Sequence, residues 1–148
     1  MAYTTPRTWV TSELVTATLL NTHLRDNIAY VHGRANCFIW TVAGGLAVNT
    51  DQGFHNRVAN SITFIEAEML VKTAPVGASL IVDINLNGTS LWEATQANRP
   101  KILTTATEGQ TTDFDTTTAF LYDALTMDID QVGSGTAGSD LTVLLWYV

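Results

Sequence analysis

Residues 80–92 read Leu80-Ile-Val-Asp-Ile-Asn-Leu-Asn-Gly-Thr-Ser-Leu-Trp92, and the dipeptide Asn87-Gly88 at their centre decides the fold. Both of its residues tolerate positive φ, which a two-residue hairpin turn demands, so Leu80–Asn85 and Thr89–Trp92 are expected to form paired strands. The same two-residue period extends in both directions. Toward the C-terminus, Arg99-Pro100 starts a new segment carrying Ile102 and Leu103. Leu125, Met127 and Ile129 then alternate with Thr126, Asp128 and Asp130, and a glycine-rich turn leads into a last strand over Asp140–Val148. Toward the N-terminus, Pro75-Val76-Gly77 marks a turn. Before it, Ile65, Ala67, Met69 and Val71 are assigned to one face and Glu66, Glu68 and Lys72 to the other. Phe38 and Trp40 alternate with Ile39 and Thr41 at the start of the series. About eight strands with no helix after residue 33 predict a mainly β chain, a jelly-roll-like β-sandwich.

The first 35 residues follow another pattern, dividing the chain into an N-terminal arm and helix (1–35) and a sandwich (36–148). Residues 1–15 read as extended, because Pro6 fixes its own φ and biases Thr5 away from helix. Trp9 lies in a run too short to make a core and is expected to pack on the sandwich or on a neighbouring protein. Thr16 is an N-cap candidate, with Val15 and Leu20 placed as a hydrophobic staple. Leu20, Leu24, Ile28 and Val31 form one apolar stripe at helical spacing, and Gly33 supplies a stop. Ala17, Asn21, Leu24, Ile28 and Val31 also fit a short heptad seam, so helix self-association and packing on the chain's own domain both stay open.

Charge divides unevenly between the two parts. Residues 1–35 carry three basic and two acidic side chains, and residues 36–148 carry four and twelve. An acidic body repels phosphates, which argues against nucleic-acid binding. The single cysteine, Cys37, permits no intrachain disulfide and reads as a small buried hydrophobe. No signal peptide and no membrane span is legible, so synthesis in the cytoplasm is expected.

Motifs for chemistry are weak. Gly133-Ser-Gly-Thr-Ala-Gly138 has dinucleotide-loop spacing, but it leads into a strand where the mechanism needs a helix N-terminus, and is read as a turn. His23, His32 and His55 lack the spacing of a metal site or a catalytic arrangement. Asp128 with Asp130, and Asp113 with Asp115, are assigned to solvated acidic faces rather than to a cation. Trp40, Trp92 and the tyrosines are assigned to packing, with sugar stacking as the alternative. No catalytic residue, metal or cofactor is expected. The last strand is apolar on both faces, with Leu141, Val143, Leu145 and Tyr147 opposite Leu144, Trp146 and Val148, and this points to a subunit interface.

Two stretches resemble proteins of tailed-phage particles. The first comprises Thr5-Pro-Arg-Thr-Trp-Val10, Glu13-Leu-Val-Thr-Ala17 and Leu20-Asn-Thr-His-Leu-Arg-Asp-Asn27, and is similar to an N-terminal segment of phage structural proteins. The second comprises Ala74-Pro-Val-Gly-Ala-Ser79, Val82-Asp-Ile-Asn-Leu-Asn-Gly-Thr89, Ala97-Asn-Arg-Pro100, Asp128-Ile-Asp-Gln-Val-Gly133 and Ala137-Gly-Ser-Asp-Leu-Thr-Val143. It resembles a β-knob that phages place on tail fibres, tail tips and head surfaces. Residues from about 43 to 61 match neither. The resemblance implies a non-enzymatic virion-surface protein and a homo-oligomer, commonly a trimer. Its partners would be the major capsid protein or tail proteins. Because the chain has no shaft, capsid decoration is the leading expectation. A tail-fibre or tail-tip protein touching host surface glycan is the alternative. Trp9, Leu20, Leu24, Ile28, Val31, Leu144 and Trp146 are the expected anchoring and interface residues.

Overall fold

The computed structural model describes residues 3–32 and 36–148, the side chain of His32 excepted. The expected helix stop at Gly33 lies outside the described residues. The chain forms two compact units that meet in sequence at Ala35/Asn36.

In the N-terminal unit, one helical stretch has three parts: α1 (Ala17–Leu20), a π-helical segment (Asn21–Asp26) and α2 (Asn27–His32). Thr16 caps it as expected, its Oγ1 accepting from Leu19 N at 3.3 Å. The π-helical segment is a departure from the sequence reading. Its i→i+5 turns are wider than α turns, so the heptad seam through Ala17, Asn21, Leu24, Ile28 and Val31 loses its phase within one turn.

The second unit is an antiparallel β-sandwich of ten strands: β1 (Asn36–Gly45), β2 (Asn56–Arg57), β3 (Ile62–Thr73), β4 (Leu80–Leu86), β5 (Thr89–Ser90), β6 (Lys101–Ile102), β7 (Glu108–Thr111), β8 (Thr118–Ala119), β9 (Ala124–Gln131) and β10 (Ser139–Tyr147). One sheet runs β1-β10-β3-β7, with β8 also on β3; the other runs β2-β9-β4-β5, with β6 also on β4. The pairs nest. β1 joins β10, β2 joins β9, β3 joins β7 and β8, and β4 joins β5 and β6. A single long hairpin wrapped over itself into two sheets is the jelly-roll topology. Its tip is the β4–β5 turn, where Asn87 (φ 53°) and Gly88 (φ 85°) adopt the two positive angles expected of this dipeptide.

The core lies between the sheets. Trp40, Phe64, Ala67, Met69, Val71, Leu80, Val82, Ile84, Leu91, Trp92, Leu125, Met127, Ile129, Leu141, Val143 and Leu145 are all buried there. The period-two assignments of β1, β9 and β10 hold residue for residue. In β3 the assignment fails at Ile65, which is 40 % exposed, while Phe64 takes the inward place. A bulge causes this: Trp146 pairs with Glu66 but Tyr147 with Phe64, and one extra residue inverts the phase. Cys37 is also corrected, since it lies half-buried opposite Trp146 instead of in the core. Its neighbours Phe38 and Trp40 take the inward positions, and alternation leaves Cys37 the outer face.

Candidate functional site

The expected site residues fall into two groups, one in each unit. In the N-terminal unit the arm is folded along the helix by Asn27, the only buried polar residue there among those described. Its Nδ2 donates to Thr4 O at 2.8 Å and to His23 O at 3.3 Å, and its Oδ1 accepts from Thr4 N at 3.0 Å. One amide thus satisfies both backbone groups of Thr4. Arg7 pairs with Glu13 and also lies over the Trp9 ring, 5.1 Å from its centroid. The Trp9 ring meets His23 edge-on at 6.2 Å, a contact within its own segment. Tyr3, Pro6, His23, Asn27, Ile28 and Val31 line an open cleft of about 370 Å³. His23 Nδ1 is buried beside it and has no hydrogen-bond partner among the described residues.

Leu20, Leu24, Ile28 and Val31 all remain exposed. Val10, Leu14 and Val15 are exposed as well, so the staple expected between Val15 and Leu20 buries neither residue. The segment therefore holds its shape through polar and aromatic contacts and leaves its aliphatic side chains facing outward.

In the sandwich, Leu144 and Trp146 lie half-buried on the outer face of the first sheet. Trp146 Nε1 donates to Glu68 Oε2 at 3.2 Å, which fixes the indole across β3. Ile39 of β1 and Leu70 of β3 extend this apolar strip on either side. The inner face ends in a stack of Phe38 on Tyr147, 4.7 Å between centroids.

The acidic residues work as loop locks. Asp115 accepts from Thr95 Oγ1, Thr95 N and Ala94 N, and Asp123 accepts from Phe120 N and Asn87 Nδ2. Asp140 accepts from Gly44 N and Ser139 Oγ. These bonds favour the carboxylate form and hold all three below the ordinary value. Asp128 binds Asp51 N and Asn85 Nδ2, and Asp130 pairs with Arg99. Asp83 goes the other way. Burial pushes its carboxyl up, and the Ser90 hydroxyl bonded to it only partly offsets this.

Trp40 and Trp92 are core residues, which removes both as sugar platforms. The Trp92 indole stacks on Phe114 at 5.1 Å and donates to Asp113 O. The glycine-rich run is a turn between β9 and β10. Gly133 is required there because a Cβ would stand 1.9 Å from Thr136 O.

Sequence reasoning missed the loop Phe120-Leu121-Tyr122, exposed throughout, and Phe54, exposed on the chain preceding β2. Tyr122 is held at φ 73° while its N donates to Val58 O and its O accepts from Arg57 Nη1. Three consecutive apolar residues breaking the two-residue period ahead of Asp123 were the available signal.

Among the described residues, no group of three or more His, Cys, Asp or Glu side chains is placed to hold a metal ion, and no helix is long and apolar enough to cross a membrane. No family model, curated protein or solved structure matches the chain.

Proposed function

We propose that this chain is a non-enzymatic structural protein of a tailed-phage virion, a decoration or cement knob attached to the capsid by its N-terminal segment. The observation that carries this reading is the contrast between a jelly-roll knob with a buried apolar core and a segment whose aliphatic side chains face outward. Double-sheet jelly rolls recur in viral capsid and lectin domains, so the fold agrees with the reading without singling it out. Leu20, Leu24, Ile28 and Val31 would bury their side chains against the support. Leu144 and Trp146 would line the contact between knobs of a trimer.

Copy number tests the proposal: quantitative mass spectrometry of purified particles against the major capsid protein. A simple fraction of the capsid count supports decoration, and absence from particles overturns the virion role. Replacing Leu24 and Ile28 together with Asp is expected to abolish attachment while leaving the knob folded; particles that still carry the variant would refute the anchor. A tail-tip protein touching host glycan is the second reading, favoured by the exposed aromatics Phe54, Phe120 and Tyr122. A count of a few to a few tens per particle would select it.

A further inference from the structure

A sandwich with open edges exposes unpaired backbone N–H and C=O groups wherever a strand has no outer neighbour, and folded proteins blunt such edges. Three of the four edges here are blunted by brevity. β7 and β8 on one side of the first sheet, and β2, β5 and β6 around the second, are four residues long or shorter. β1 is the exception. It is a ten-residue strand at the edge of the first sheet, where its ladder partner among the described strands is β10. Among the described residues, none makes a backbone hydrogen bond to the outer edge of Cys37–Ala43.

The composition of β1 offers no protection either. Asn36–Gly45 contains no charged residue and no proline, in a chain carrying 14 acidic and 7 basic side chains. Its one irregularity, the register shift between Val42 and Gly45, lies at the far end and leaves Cys37–Val42 regular. On an acidic body that repels its own copies over most of its surface, this edge is an uncharged exception.

We propose that β1 pairs antiparallel with β1 of a second copy across a two-fold axis at Ile39, joining two five-stranded sheets into one of ten strands. Antiparallel pairing about Ile39 sets Ile39 against Ile39, Phe38 against Trp40 and Cys37 against Thr41. No like charges face each other, and aromatic side chains meet across the new ladder. The outer-face strip of Ile39, Leu144 and Trp146 then runs continuously across both copies. The two-fold goes beyond the virion reading: alone it gives a dimer, and combined with trimeric knobs it gives a hexamer.

The test is the solution mass of the purified full-length chain by light scattering, on wild type and on Ile39→Lys. Ile39 is half exposed on the outer face, so the fold tolerates lysine there, while the pairing would set two ammonium groups directly opposite. The expected result is an even number of chains in wild type and half that mass in Ile39→Lys, with Leu70→Lys on β3, beyond β10 in the same sheet, unchanged. A monomer, a trimer, or an even mass that survives Ile39→Lys would overturn the pairing. Hydrogen exchange on the wild type gives a second reading that does not depend on the variant folding. Alternate amides within Cys37–Val42 should exchange slowly, and more slowly at higher protein concentration; rapid, concentration-independent exchange would count against the pairing. A trimer dissociated by Trp146→Ala would defeat the β1 contact yet keep the last-strand interface, so the two failures are distinguishable.

Discussion

The two units of this chain are held together in different ways. Every buried apolar residue among those described lies between Trp40 and Leu145, in the sandwich. Among its described residues the N-terminal segment has one that is buried, Asn27, and it keeps its conformation through that amide, an ion pair and ring contacts. A unit of this second kind supplies little hydrophobic stabilisation of its own, because its aliphatic side chains remain in water. The sandwich has the resources to fold by itself. The segment is suited to gaining its stability from whatever covers Leu20, Leu24, Ile28 and Val31.

The largest effect expected from breaking this contrast is in the sandwich core. Trp92→Ala removes a buried indole that stacks on Phe114 and donates to Asp113 O, and should cost about 3–5 kcal/mol in urea unfolding. A loss below about 1 kcal/mol would mean that the sandwich does not rely on its core in the way described.

Gly133→Ala comes next. Its methyl group would strike Thr136 O and the Val76 backbone, so a loss of more than about 1 kcal/mol is expected by the same assay. A neutral substitution would show that the β9–β10 turn rearranges freely.

The third effect is a pH dependence of opposite sign in two sets of carboxyls. Asp115, Asp123 and Asp140 have folded values below the ordinary 3.8. Their contribution is fully present above that value and is lost as pH falls through the lowered ones. Asp83 is raised, so its folded form keeps a proton that the unfolded chain releases, and stability declines as pH rises from 3.8 toward its folded value. Asp83→Asn retains an acceptor for Ser90. It should remove that decline and leave the chain more stable at neutral pH, in unfolding curves taken across the pH series. Superimposable profiles would refute the assignment to Asp83.

The smallest global effect belongs to Asn27→Ala. Knob stability should stay within about 0.5 kcal/mol of wild type, while the Thr4 amide, which donates to Asn27 Oδ1, exchanges faster. A cooperative loss of knob stability would erase the distinction between the units.

The sandwich was legible wherever strands alternate regularly. Leu125, Met127 and Ile129, the two faces of β10 and the Asn87-Gly88 turn were all placed correctly, because one apolar side chain in two facing a core is a strong constraint. Ile65 was misplaced because a bulge leaves no mark in composition. The π-helical segment escaped notice for a similar reason, since Leu20, Leu24 and Ile28 suit either turn width. The candidate site was less legible than the fold. The aliphatic stripe could be read, but not the inward fold of Trp9 onto His23 or the clamp of Asn27 on Thr4, which join residues up to 23 positions apart.

Sequence alone determined the class of the fold, the helix cap at Thr16 and the inward set of the regular strands, since these follow from local propensity and periodicity. Only the tertiary structure decided the nesting of the strand pairs, the reversal at Phe64 and Ile65, the use of aspartates as loop locks and the open edge of β1. Each of these depends on which distant backbone groups find partners, and hydrogen bonds across such separations are settled by packing.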